Sequence, residues 1–354
     1  MPLDASALLD GPRGRRLCLE LLLDGARRAD TPETRDAVQA VFWAAHGRER
    51  GASVLLSFSD GSEPFVEPEV SAHDAAAALA ALPVPAMTAE TLTHALWHAV
   101  DEAAYWQPPS GMDELAAAPE MHSVLRRVAN GIALSRHVDW WASPLARQDQ
   151  AAVAWEEEPF RAGHPGEILP EWRTDTTAEE LQFAGYTGVS GPWWSVPPFG
   201  LPRTTRVGER GPVGLSFVED SHGWLTARSR RVTPPAGDVV EIHGPDAWAA
   251  LCRRHPLVVT ASRRTVWEWA TGRDGAWVIP DWAAVAREAV GVHLTVTGYL
   301  TSAGRIIDVG GGLASTVAGW VPDETFWFRD VVQAGAEDRW AAEHNMGVDR
   351  WHPA

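Results

Sequence analysis

The residues with chemistry to offer form an ordered series in the second half of the chain. WWSVPP (193–198) brings Trp193 and Trp194, and TTR (204–206) brings Arg206. GPVGLSF (211–217) carries Ser216. GVHLTVTGYL (291–300) carries His293 and Tyr299, and AGWVPDETFWF (318–328) carries the acid Glu324. A carboxylate held beside an electron-poor carbon stabilises a cationic transition state. An arginine fork matches a pyrophosphate better than a point charge does. Flat rings want aromatic walls, which Trp193, Trp194 and Tyr299 could supply. His293 shares a strand face with Thr295, Thr297 and Tyr299, a polar but uncharged surface that could floor a cleft.

Other chemistries are closed off. The chain has no lysine, so all 30 basic residues are arginine. Schiff bases, lysine general bases and a P-loop lysine are therefore excluded. No HExxH, CxxC, EF-hand or GxSxG pattern occurs, and a metal site is not expected. Cys18 and Cys252 fall on apolar helical patterns and read as buried free thiols. Gly310-Gly311-Gly312 does not lead into a helix and reads as a mobile loop.

The elements that must position these groups change character along the chain. Up to about residue 145 the periodicity is helical. RRLCLELLLDGARR (15–28) is amphipathic. Thr31 caps a helix with Val38, Val41, Phe42 and Ala45 on one face; Ser71 and Thr88 start two more, and EMHSVLRRVANGIAL follows. SVLLSF (53–58) with the turn 59–62 is a lone strand signal. Residues 155–200 are rich in Pro, Gly, Trp and acids, and 151–185 reads as an irregular linker. From 186 onward short strands alternate with short helices. Strands are expected at 211–217, 238–243, 291–300 and 315–328, and helices at 244–256 and 281–289. The fold class is α+β: a mostly helical domain (1–150), the linker, and an α+β domain (186–354) with a small, split antiparallel sheet.

In order and type, the arginine, the strand serine and the late glutamate resemble those of bacterial ADP-ribosyltransferase-like domains, over residues 186–330 at most. The resemblance implies NAD as substrate: Arg206 on phosphate and ribose, Ser216 shaping the nicotinamide pocket, aromatics on the ring, and Glu324 on the ribose 2′-hydroxyl and the oxocarbenium ion. Two motifs depart from the family. Leu215-Ser216-Phe217 replaces Ser-Thr-Ser, and Pro322-Asp323-Glu324 replaces Gln-x-Glu.

Plain structural readings stand beside these. Glu324 can be a turn acid in Pro-Asp-Glu-Thr, Arg206 a solvated arginine, Ser216 a strand serine, and His293 a satisfied polar-layer histidine. TVWEWATGRDGAWVIPDW (265–282) packs four tryptophans into one stretch. There Trp282 should be core, Trp267 and Trp269 the exposed pair of an extended segment, and Trp277 a lid on the Gly272–Gly275 turn. A net charge of −17 argues against a nucleic-acid partner. No apolar run reaches the roughly 20 residues of a membrane span. The N-terminus lacks a signal-peptide arrangement, so a cytoplasmic location is expected. Three functions fit: NAD chemistry, another enzyme acting on a small polar or sugar-containing ligand in a Trp-lined cleft, or an interaction or immunity-type protein with an acidic surface for a protein partner.

Overall fold

The computed structural model describes residues 3–50, 66–156, 158, 162–188, 191–220, 224–345 and 348–354. The strand signal at 53–58 and its turn lie outside them. Seven helices come first: α1 (Ala5–Asp10), α2 (Pro12–Ala29), α3 (Pro32–His46), α4 (Ala72–Ala80), α5 (Ala89–Asp101), α6 (Gly111–Ala117) and α7 (His122–Ala133). Pro12 starts α2, and Asp30 ends it in the left-handed region. Thr31, Ser71 and Thr88 each close a capping box on α3, α4 and α5, which satisfies backbone donors at each helix start. Helix α2 is buried on nearly all sides by α1, α3, α5, α6 and α7.

The second half is α+β, as expected, but its sheet is not small. It comprises β1 (Gln150–Trp155), α8 (Pro165–Phe183), β2 (Arg203–Gly208), β3 (Gly211–Pro212), β4 (Thr226–Thr233), β5 (Val239–Ile242), α9 (Pro245–Arg254), β6 (Pro256–Val258) and α10 (Thr260–Thr271). Then come β7 (Ala276–Pro280), α11 (Trp282–Val285), β8 (Gly291–Leu294), α12 (Val296–Ser302), β9 (Ile307–Gly310), β10 (Leu313–Ser315), β11 (Glu324–Trp327), β12 (Val332–Asn345) and β13 (Val348–Pro353). Among the described residues the main sheet has nine strands, ordered β13-β12-β4-β1-β2-β11-β8-β5, with β3 beside β2. It is antiparallel except for the β5–β8 pair. A second sheet runs β6-β7-β10-β9.

Several expectations are corrected. The stretch read as an irregular linker holds all but the first residue of β1 and the 19-residue α8. Only Pro165, Leu169 and Thr176 of α8 are buried, and Pro170 interrupts it, so no apolar stripe marks it. Polar ties dock it instead: Arg173 Nε donates to Asp281 (2.7 Å), and Glu180 accepts from the backbone N–H groups of Ala261 and Ser262 (2.9 and 2.7 Å). The strand expected at 291–300 stops at Leu294. Thr295 then caps α12, its hydroxyl accepting from Gly298 N at 2.9 Å. Val292, Leu294 and Val296 are buried as expected, but so are His293, Thr295 and Tyr299, because β8 lies inside the sheet and α12 inside the core.

GPVGLSF forms only the two-residue β3 and a 3₁₀ turn over Val213–Ser216. Of the expected strand at 315–328 only Ser315, at the end of β10, and Glu324–Trp327, as β11, are strand, and the two belong to different sheets. At the start of β11, Asp323 sits at φ 58°. The triple glycine is the tight turn between β9 and β10, all three residues at positive φ, which suits residues without a Cβ. The polar hairpin β12–β13 had no apolar alternation to announce it.

Three of the four tryptophans of 265–282 are core. Trp267 is fully buried and Trp269 is 52% exposed, because α10 is a helix and places them on different faces. Trp277 is buried in β7 against Trp267, ring centroids 5.1 Å apart. Trp248, Trp282 and Trp320 form a mutually tilted trio at 5.9–6.2 Å. Their indole N–H groups find Ser315 Oγ, Ser195 O and Glu324 O, as buried indoles require. One apolar core holds this trio together with residues of α2 and α5 and with Tyr299, Leu300 and Val317.

Candidate functional site

Strand β11 carries the acid, and its neighbour β2 decides which arginine meets it. Glu324 stands opposite Thr205, and Phe326 opposite Arg203. Alternation along a strand therefore puts Glu324, Thr205 and Arg203 on one face, and Thr204 and Arg206 on the other. The expected convergence of Glu324, Ser216 and Arg206 does not occur; Arg203, three residues earlier, takes the place given to Arg206.

On the first face, Arg203 bridges two buried carboxylates. Its guanidinium lies 3.5 Å from Glu324 Oε1 and donates a short hydrogen bond to Glu158. Beside them is a recess of about 20 Å³, lined by Val153, Trp155, Thr205, Gly214 and Val321, room for about one water. Trp155 is buried, and its indole N–H has no acceptor among the described residues. Glu324 is 7% exposed. Burial pushes its carboxyl up to about 7, Arg203 opposes this, and Glu158 adds repulsion. Burial alone would lower the Arg203 guanidinium; Glu324 and Glu158 together hold it above its ordinary value.

A third buried acid, Glu219, accepts from Tyr299 Oη at 3.2 Å. Burial holds its carboxyl well above the carboxylate range, and the repulsion of Glu324 adds to this. Tyr299 is thus buried under Glu219 rather than exposed as a stacking wall.

The other face carries a chain of charges. His293 Nδ1 meets Glu241 Oε2 at 2.6 Å, and Nε2 lies 3.6 Å from Asp323 Oδ1. Asp323 accepts from Arg206 N at 2.9 Å and lies 3.5 Å from its Nε, while the guanidinium stacks over Trp140 at 5.2 Å. Burial opposes charge on the imidazole, but the two flanking carboxylates raise it to about 9. His293 is therefore an imidazolium clamped between acids, not a neutral base facing a ligand.

Trp193 and Trp194 are half-buried and meet edge to face at 5.9 Å. Trp194 continues to Phe199 at 5.8 Å, and Arg203 covers Phe199 at 5.9 Å. Buried Arg263 holds this loop by donating to Trp194 O at 3.1 Å, and Trp267 donates to Trp193 O at 2.7 Å. Both tryptophans thus lie on a path to the Arg203 face. Ser216 ends the 3₁₀ turn and does not line the recess; Gly214, two residues earlier, does, and its N–H donates to Thr205 Oγ1 at 3.2 Å.

Sequence reasoning passed over Arg203, Glu158 and Glu219. Arg203 shares parity with Thr205 in RTTR, a signal that needed the strand register. Glu158 and Glu219 stand in loops without any periodic signal. Among the described residues no group of three or more His, Cys, Asp or Glu could hold a metal, and no helix is long and apolar enough to cross a membrane. No family model matches this chain, and no curated protein or solved structure does.

Proposed function

We propose that the recess around Glu324 serves to cleave a glycosidic bond in a small ribosylated or sugar-containing compound, with NAD as the first substrate to test. The observation that carries this reading is a buried carboxyl, Glu324, held by one arginine beside a second buried carboxylate, with burial pushing it up to about 7. In NAD the bond between the pyridinium nitrogen and ribose breaks, and its electron pair leaves with neutral nicotinamide. The ribosyl cation that remains needs a nearby negative charge. Water or another acceptor then attacks, and ionised Glu324 takes the proton it loses. The small recess suits that water. The nicotinamide and ribose would lie against Trp193, Trp194 and Phe199.

The test is nicotinamide release from NAD, followed by chromatography from pH 5 to 9, with thermal shifts for NAD, nicotinamide and ADP-ribose. Release should rise with pH through about 7 and fall on the order of 100-fold in Glu324→Gln. The absence of both release and any thermal shift at millimolar ligand would overturn it. The closed Glu158–Arg203–Glu324 triad also favours a second reading, an interaction protein that keeps the ion cluster as scaffold and meets a basic protein partner with its 47 acids.

A further inference from the structure

A separate cleft of about 500 Å³ opens between α8 and the segments following α11 and β11. Its size lies within the roughly 300–1,000 Å³ range of small-molecule sites. Pro170 and Ala283 contribute apolar surface over the buried Leu169, Ala286 and Phe328, and Arg173, Arg287 and Arg329 contribute charge. None of its eleven lining residues is acidic, in a chain whose net charge is −17.

The three arginines differ in what they have free. Arg173 is tied to Asp281 at 2.7 Å, so much of its charge is matched. Arg329 donates to the carbonyls of Phe328 and Ala286 at 2.7 and 3.0 Å. Those partners orient the fork without neutralising it. Arg287 is exposed, and among the described residues no carboxylate lies within ion-pair distance of Arg287 or Arg329. Pro165 and Gly166, in the first turn of the 19-residue α8, complete the rim. A helix N-terminus favours negative charge. Glu167, in the same turn, does not line the cleft.

We propose that this cleft binds a small organic anion: an apolar, ring-sized body over Pro170 and Ala283, and a phosphate or carboxylate head between Arg287 and Arg329. Guanidinium forks bind such heads through paired, charge-assisted hydrogen bonds. The apolar floor means that a bare inorganic anion would use only half the site. This proposal does not depend on the chemistry at Glu324.

The test is calorimetric titration of the 354-residue chain with phenyl phosphate, benzoate, inorganic phosphate and phenol. Phenyl phosphate or benzoate should bind saturably with one site per chain. Phosphate and phenol alone should each bind at least about tenfold more weakly. Arg287→Glu, a change at an exposed position, should weaken phenyl phosphate by about tenfold or more. Glu324→Gln should leave it unchanged, which separates this site from the one above. Ala283→Phe, filling the cleft from its side, is the second variant and should block binding without touching a charge. The proposal falls if neither organic anion binds saturably, or if both cleft variants bind as the wild type does.

Discussion

Glu324 keeps its proton into the neutral range because water is excluded from it and Glu158 repels its charge, while one arginine serves both acids. Between the ordinary value of 4.5 and about 7, the folded state holds a proton that the unfolded chain has lost. Stability therefore falls as pH rises through that window. Glu324→Gln removes the penalty and leaves Arg203 its Glu158 partner. It should be more stable than wild type at pH 8, by about 3 kcal/mol at most, and differ little at pH 4.5. Urea denaturation at the two pH values checks this; a less stable variant at pH 8 would mean that the Arg203 pair outweighs desolvation. His293 runs the other way. Its charge stabilises fully below about 6.5, and the contribution is lost as pH rises through about 9. His293→Asn should be most damaging at pH 6, and its deficit should narrow by pH 10. At this scale residue type was legible and partnership was not. Glu324 could be singled out as an acid beside apolar strand residues, but choosing Arg203 over Arg206 needed the β2–β11 register.

Helical elements with caps were legible because their signals are local: Thr31, Ser71 and Thr88 announce α3, α4 and α5 within four residues. Segment 291–300 shows where local signals stop. Its alternating pattern fits a strand, yet Thr295 turns the chain into a helix, and both faces of β8 are covered by other strands and helices. Two substitutions test that transition. Leu294→Ala should cost about 2–5 kcal/mol, since the side chain is fully buried. Thr295→Ala removes the hydroxyl that accepts from Gly298 and donates to Ile242 O, and should cost about 1–2 kcal/mol. A loss below about 0.5 kcal/mol, as at surface positions, would deny the cap its role. Helix α8 was hidden for the opposite reason: polar ties rather than an apolar stripe hold it down.

At the scale of the molecule, helices and sheet share one core. Leu17, Leu22 and Val100 belong to the same buried cluster as Trp248, Val292 and Leu300. The joint is close at Gly11, where a Cβ would come within 2.2 Å of Leu300 O. Gly11→Ala should therefore force α2 and α12 apart and cost about 1–3 kcal/mol. Unfolding followed by far-UV circular dichroism and by tryptophan fluorescence should give coincident transitions; two separated transitions would show that the halves unfold independently. The α+β class was legible from the change in periodicity. The breadth of the main sheet was not, because three of its strands, β4, β12 and β13, are polar and owe their place to pairing.

The mutually tilted trio of Trp248, Trp282 and Trp320 has an optical consequence. Indole transition dipoles fixed at this spacing, inside an apolar medium, couple to one another. The native state should carry a strong near-ultraviolet dichroic signature and a blue emission band, and both should vanish together when the trio comes apart. Exposed Trp106 and Trp269 contribute the red edge and can be quenched selectively by iodide. The chain thus contains its own two-colour gauge, one colour reporting the packed interior and the other the surface.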